Sequence, residues 1–326
     1  MSSTSSRRSR HAATSAAALL LAACATLPPD RPPVLPAGTP ALELTATPFF
    51  PQTAWQCGPA ALATVLGAAG VAASPDDLAG QVYIPARRGS LQVELVAATR
   101  RAGQVPWLLD GSLAALTAEL AAGHPVLVLQ DVGRFGIRRW HYAVVIGADP
   151  GEDTLLLRSG RERRLPVAAD RFVAGWQPGG NWALVVLAPG TLPAMVDRDR
   201  VVATLTEAEG LLPAGALAAT WQAAAARWPA DGELAFAAAN AARAAGDLAA
   251  AEAGYRAMLA QDPGNLLALN NLADLLLDTG CTAEARALAA RAAAAAAGRD
   301  VPGSWRSAVA DTAARAEACD PPVGDR

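Results

Sequence analysis

The sequence predicts an α+β domain followed by an all-α region, and three observations carry that prediction. Between about residues 46 and 190, stretches with helical periodicity come first and short β-rich runs broken by Gly, Pro and Asp come after. Beyond Val201 the β-rich runs stop and the sequence turns to Ala and Leu. Within that second region Pro229 and Pro263, Gly246 and Gly280, Ala239 and Ala273, and Ala251 and Ala285 are each 34 residues apart, the mark of a stacked repeat. At 326 residues the chain is long enough for two domains of ordinary size.

The elements follow in chain order. Arg7, Arg8 and Arg10 precede a short apolar run, Ala12 to Leu21, too short to span a bilayer. Leu21-Ala22-Ala23-Cys24 then resembles the lipobox of bacterial lipoproteins, which implies a signal peptide over 1–23 and a lipid on Cys24. Ala25 rather than Asp follows Cys24, which by the same resemblance implies the periplasmic side of an outer membrane. Residues 24–45, with "LPPDRPPVLPAG", read as an extended Pro-rich tether.

The α+β domain, 46–190, opens with helical spacing from Cys57 to Ala69. Ser74-Pro75-Asp76-Asp77 reads as a capped start leading into "LAGQVY", and Ser90 with Glu94 as a second cap for a helix ending at Gly103. Ser112 to Ala122 is a further short helix. Strands are expected at Pro125–Gln130, Trp140–Ala148, Thr154–Arg158 and Trp182–Ala188, with "ADPGED" as the turn between the middle two.

The helical region, 195–320, resembles tetratricopeptide repeats. Ala251, Tyr255 and Pro263 match the small residue, the aromatic four later and the terminating Pro. Trp221 and Pro229 match one repeat earlier, and Ala285 one repeat later. Three repeats near 198–231, 232–265 and 266–299 are expected, with a capping helix from about Gly303 to Cys319. An oxidising compartment permits a Cys281–Cys319 bridge from the last repeat to the cap; two free thiols remain the alternative.

Bulk charge and missing residues exclude several chemistries. A net charge of −3 leaves no electrostatic footprint for nucleic acid. No lysine occurs, which rules out lysine Schiff-base and P-loop chemistry. There is no HExxH and no Cys/His spacing for zinc, and no cofactor is expected. The arginines at 158, 161, 163 and 164 read as surface or hairpin charge, with a substrate-carboxylate contact as the alternative. Arg87 and Arg88 could border the same cleft.

One cysteine remains. Cys57 stands just before Gly58-Pro59, where a loop turns into an apolar helix. Gly58 permits close backbone approach, and Pro59 suits a first helical turn because it has no N–H to satisfy. A helix N-terminus favours negative charge, and a thiolate nucleophile needs a partner to manage protons, usually imidazole. His11 falls in the signal segment and His124 reads as a solvated turn residue, which leaves His141 at the start of "HYAVVIGA".

"PQTAWQCGPAALATVL" followed by "HYAVVIGAD" resembles the bacteriocin-processing, double-glycine cysteine peptidases, whose fold is papain-like. Over roughly Phe49 to Pro189 the resemblance implies Cys57 as nucleophile and His141 as general base and acid. It implies Gln52 as the oxyanion-hole donor, with Gln56 as fallback. The family's third residue is an Asp at the end of the following strand, where this chain has Ser159. Asp149 and Asp153 fall in the hairpin turn, and Asn181 reads as a turn residue. The implied activity is an anchored periplasmic peptidase whose repeats recruit a protein partner. A catalytically weak peptide-binding module and an acyl transferase are the alternatives.

Overall fold

A computed structural model describes residues 34–52 and 56–319; from Leu35 onward the chain forms one compact unit. The lipobox-like segment and Cys24 lie outside the described residues. So do Thr53, Ala54 and Trp55 of the loop before Cys57.

The first half is built on a seven-stranded antiparallel sheet. Its strands are β1 (Leu42–Glu43), β2 (Val105–Leu108), β3 (Val126–Asp131), β4 (Trp140–Asp149), β5 (Thr154–Ser159), β6 (Glu162–Ala168) and β7 (Ala183–Leu187). Their order is β2-β7-β3-β4-β5-β6, and β1 pairs with β4. Helices α1 (Cys57–Ala68), α2 (Pro75–Val82) and α3 (Gln92–Arg101) precede the sheet's main run, α4 (Leu113–Ala121) follows β2, and α5 (Ala169–Trp176) follows β6. Period-2 alternation in β4 sends Tyr142, Val144 and Ile146 into one core with Leu62, Val65 and Leu66 of α1.

Several sequence expectations change here. The tether was expected to run to residue 45, yet Leu35 is buried and Leu42 and Glu43 pair with Ala148 and Gly147. A Cβ at Gly147 would stand 2.3 Å from the Leu42 carbonyl oxygen, so only glycine admits β1 at that point. Neither β2 nor β6 was expected. Pro106 masks β2, and the charges of "ERRLPVA" mask β6, an edge strand exposed along much of its length.

Arg158, expected on the surface, is 4% exposed and donates to the carbonyls of Thr45 and Thr47, tying the segment before α1 to β5. His124 is not simply a solvated turn residue. Its Nδ1 lies 2.8 Å from Oε2 of Glu119, which is fully buried and accepts the Ala194 N–H through its other oxygen.

The second half contains α6 (Arg198–Glu207), α7 (Ala214–Arg227), α8 (Gly232–Ala244), α9 (Leu248–Gln261), α10 (Leu266–Thr279), α11 (Ala283–Ala297) and α12 (Gly303–Ala318). Asp or Asn side chains cap α6, α8, α9 and α10 by accepting first-turn N–H groups. Tyr255 is fully buried and donates to Asn240 Oδ1, which also receives Asn271 Nδ2, linking α8, α9 and α10. Cys281 and Cys319 are disulfide-bonded with Cα atoms 5.8 Å apart, holding α12 to the start of α11.

The two halves do not have wholly separate cores. Val105, Trp107, Val185 and Leu187 of β2 and β7 bury against Val201, Leu205 and Trp221 of α6 and α7. Among the described residues no helix is long and apolar enough to cross a membrane.

Candidate active site

The site is assembled where β4 and β5 reach the end of the sheet nearest the loop before α1. Antiparallel register brings Val144 opposite Arg158, so the start of β4 meets the end of β5. A shift in the pairing of β5 with β6 follows Leu157 and leaves Ser159 opposite Glu162 at the turn. There His141 Nε2 and Ser159 Oγ are 2.9 Å apart. The hydroxyl therefore meets the imidazole at Nε2. Gln52 reaches the same corner: its backbone N–H donates to the Gly160 carbonyl at 2.9 Å. Three of the residues singled out from the sequence, Gln52, His141 and Ser159, thus share one end of the sheet.

Cys57 is the first residue of α1, half-buried against the core beneath that helix. Gln56 holds the N-cap position without a side-chain cap, and the first turn carries no acidic residue. The cysteine's surroundings are tight. A Cβ on Gly58 would fall 2.2 Å from Ser90 Oγ, so the Gly in "CGP" is needed for Ser90 to approach the helix start. Ser90 was expected to cap α3; instead Leu91 takes the N-cap position, and Ser90 Oγ is buried without a hydrogen-bond partner. Tyr142, next to His141 in β4, donates its hydroxyl to the Ser90 carbonyl at 3.2 Å. Burial and the nearby Cys57 push the Tyr142 phenol well above its ordinary pKa. The sequence pointed to Ser90 only as a helix cap and did not single out Tyr142; the signal for Ser90's place was indirect, in the Gly58 that leaves room for it.

The imidazole is set for the neutral form. Burial disfavours its charged state, and Arg139 two residues earlier repels a second positive charge, which together lower the His141 pKa to about 4. Among the described residues no hydrogen bond joins Cys57 to His141, and Nδ1 of the ring carries none. Gln52 is half-buried. Gln56 also stands beside Cys57 at the helix start.

The remaining candidates fall elsewhere. Asp149 Oδ1 accepts the N–H groups of Gly151 and Glu152 in the β4–β5 turn, at the far end of β4 from His141. Asp153 accepts the Leu35 N–H at that same far end. Asn181 is a left-handed turn residue (φ 52°) before β7. Arg87 and Arg88 lie in a short 3-10 turn and its cap, just ahead of Ser90. No group of three metal-ligating side chains occurs among the described residues.

A cysteine at a helix start and a strand-edge histidine in contact with a hydroxyl are residue types that suit thiol chemistry. Residues 44–159, roughly a third of the chain, match the Peptidase_C39 like family, and this match covers Cys57, His141 and Ser159. A solved structure of a protein assigned as a C39-like peptidase from Bacillus anthracis matches at 17% identity with a TM-score of 0.39, covering 45% of this chain and 98% of that one. No curated protein matches the sequence. Residues 44–159 are thus similar to C39-like peptidases, and a helical C-terminal region follows the sheet domain.

Proposed function

We propose that the first half is a cysteine peptidase domain in which Cys57 is the nucleophile and His141 the base and acid. Ser159 would orient the ring, and the Gln52 amide with the Cys57 N–H would hold the developing oxyanion. The observation that carries this is the His141–Ser159 hydrogen bond at the strand end, inside the segment with family similarity. Papain-type catalysis needs one imidazole nitrogen fixed so that the other can meet the thiol. Fixing Nε2 on Ser159 leaves Nδ1 for that task. An imidazole with a pKa of about 4 is neutral at pH 7 and can accept the thiol proton. The substrate carbonyl carbon then bonds to sulfur, the amine leaves with the proton from His141, and water releases the acid from the thioester.

In the same reading the chain is a lipoprotein anchored through Cys24 on the periplasmic side of an outer membrane. Its helical region acts as tetratricopeptide-type repeats that recruit a protein partner. The Cys281–Cys319 disulfide suits such an oxidising compartment. The test is the pH profile of Cys57 alkylation by iodoacetamide, with and without His141→Ala, alongside mass-spectrometric analysis of peptide products. A profile that changes when His141 is removed, with hydrolysed products lost in Cys57→Ala, supports the peptidase. An unchanged profile with no products supports the second reading, a peptide-binding module. That alternative is favoured by one observation: a hydroxyl stabilises imidazolium less than a carboxylate does, and His141 already resists protonation.

A further inference from the structure

The hairpin between β3 and β4 carries a feature the fold itself does not require. Ile137 N–H donates to the Arg134 carbonyl, closing a two-residue turn whose central residues, Phe135 and Gly136, have φ of 56° and 79°. Positive φ at both centres is the type I′ pattern, for which Asn-Gly is the preferred pair. A bulky L-residue there costs about 1–2 kcal/mol relative to glycine. Phe135 is nevertheless 99% exposed, so no packing within the chain offsets that cost. Ile137 is 75% exposed, and Val132 and Trp140 are a little under half exposed.

The charges have one sign. Residues 132–140, "VGRFGIRRW", contain three arginines and no acid. Asp131 at the root is occupied in accepting the N–H groups of Gly133 and Arg139. No salt bridge involves Arg134, Arg138 or Arg139 among the described residues, and Arg138 stacks 5.7 Å over the Trp140 ring. The strand leaving this hairpin places His141 directly after Trp140.

We propose that this hairpin docks the peptide substrate and selects segments in which Asp or Glu alternates with large apolar side chains. Charge complementarity with the three arginines sets the acidic requirement, and Phe135, Ile137 and Trp140 set the apolar one. A bilayer is the less favoured occupant, because Trp140 leads directly into His141 on β4 and the hairpin therefore adjoins the residue proposed to act on a peptide. The proposal rests on the domain taking a peptide and not on turnover.

The test uses the full chain carrying Cys57→Ala and fluorescence anisotropy with three labelled 12-residue peptides. One alternates Glu with Phe and Leu; one replaces Glu by Arg; one keeps Glu but replaces the apolar residues by Ser. Vesicles of phosphatidylglycerol form a fourth probe. The first peptide should bind at least tenfold more tightly than the other two, and more weakly as salt rises. Phe135→Asn, which suits the turn and should not lower the unfolding midpoint, should weaken binding at least fivefold. Arg134→Gln with Arg138→Gln should do the same and flatten the salt dependence. Equal binding of the three peptides, unchanged affinity in the variants, or binding to vesicles alone overturns the proposal. Cys57 alkylation in the wild-type chain reads the peptidase assignment separately, so either idea can fail without the other.

Discussion

Replacing Ser159 by Asp places a carboxylate where the hydroxyl now meets His141 Nε2 at 2.9 Å. The charge centres would stand roughly 4 Å apart, and at an effective dielectric of about 20 two unit charges attract by about 4 kcal/mol. That corresponds to about 3 pKa units at 1.36 kcal/mol each, less the added cost of burying the carboxylate. His141, now held to about 4 by burial and Arg139, should rise to between about 6 and 7. Two-dimensional NMR titration of the imidazole Cε1–H reads this directly, with His141→Gln to assign the peak. If catalysis is limited by stabilisation of the imidazolium, Ser159→Asp should also increase turnover of any cleaved peptide near neutral pH. A His141 pKa that stays near 4 in Ser159→Asp would refute the account in which Ser159 faces the ring and the local field sets its charge.

Other predictions follow from the same geometry. Gly58→Ala drives a Cβ to within 2.2 Å of Ser90 Oγ and should destabilise the chain by about 1–3 kcal/mol in urea unfolding, with Ser90→Gly recovering most of the loss. Because the folded pKa of His141 is depressed below its unfolded value near 6.5, the unfolded chain takes up the proton first. Stability from this residue is therefore full above about pH 6.5 and lost as pH falls to about 4. Removing the ring with His141→Gln should flatten the unfolding free energy across that window. Cys281→Ser with Cys319→Ser opens a loop of 38 residues, for which the chain-entropy model gives a loss of up to about 4 kcal/mol. Hydrogen exchange should rise in α11 and α12 and stay unchanged in the sheet.

The sequence by itself determined the α+β-then-α order, because helical and strand periodicities record which faces each element buries. It also singled out Cys57 and His141, since a Gly-Pro helix start and a strand-edge imidazole are local patterns. The 34-residue interval foreshadowed paired helices, and the described pairs α6/α7, α8/α9 and α10/α11 begin at Arg198, Gly232 and Leu266, the same interval apart. What sequence could not resolve were the pairings. Leu42 and Glu43 resemble tether until Gly147 is known to lie opposite them, and β6 resembles surface charge until β5 pairs with it. Arg158 looked solvated because its partners, the carbonyls of Thr45 and Thr47, are more than a hundred residues away. Likewise only the β4–β5 register brings Ser159 to His141, and only the fold sets Ser90 against Gly58. Local propensity reports a residue's own preference, whereas contacts between distant segments are chosen by the packing of the whole chain, and tertiary structure alone decides those.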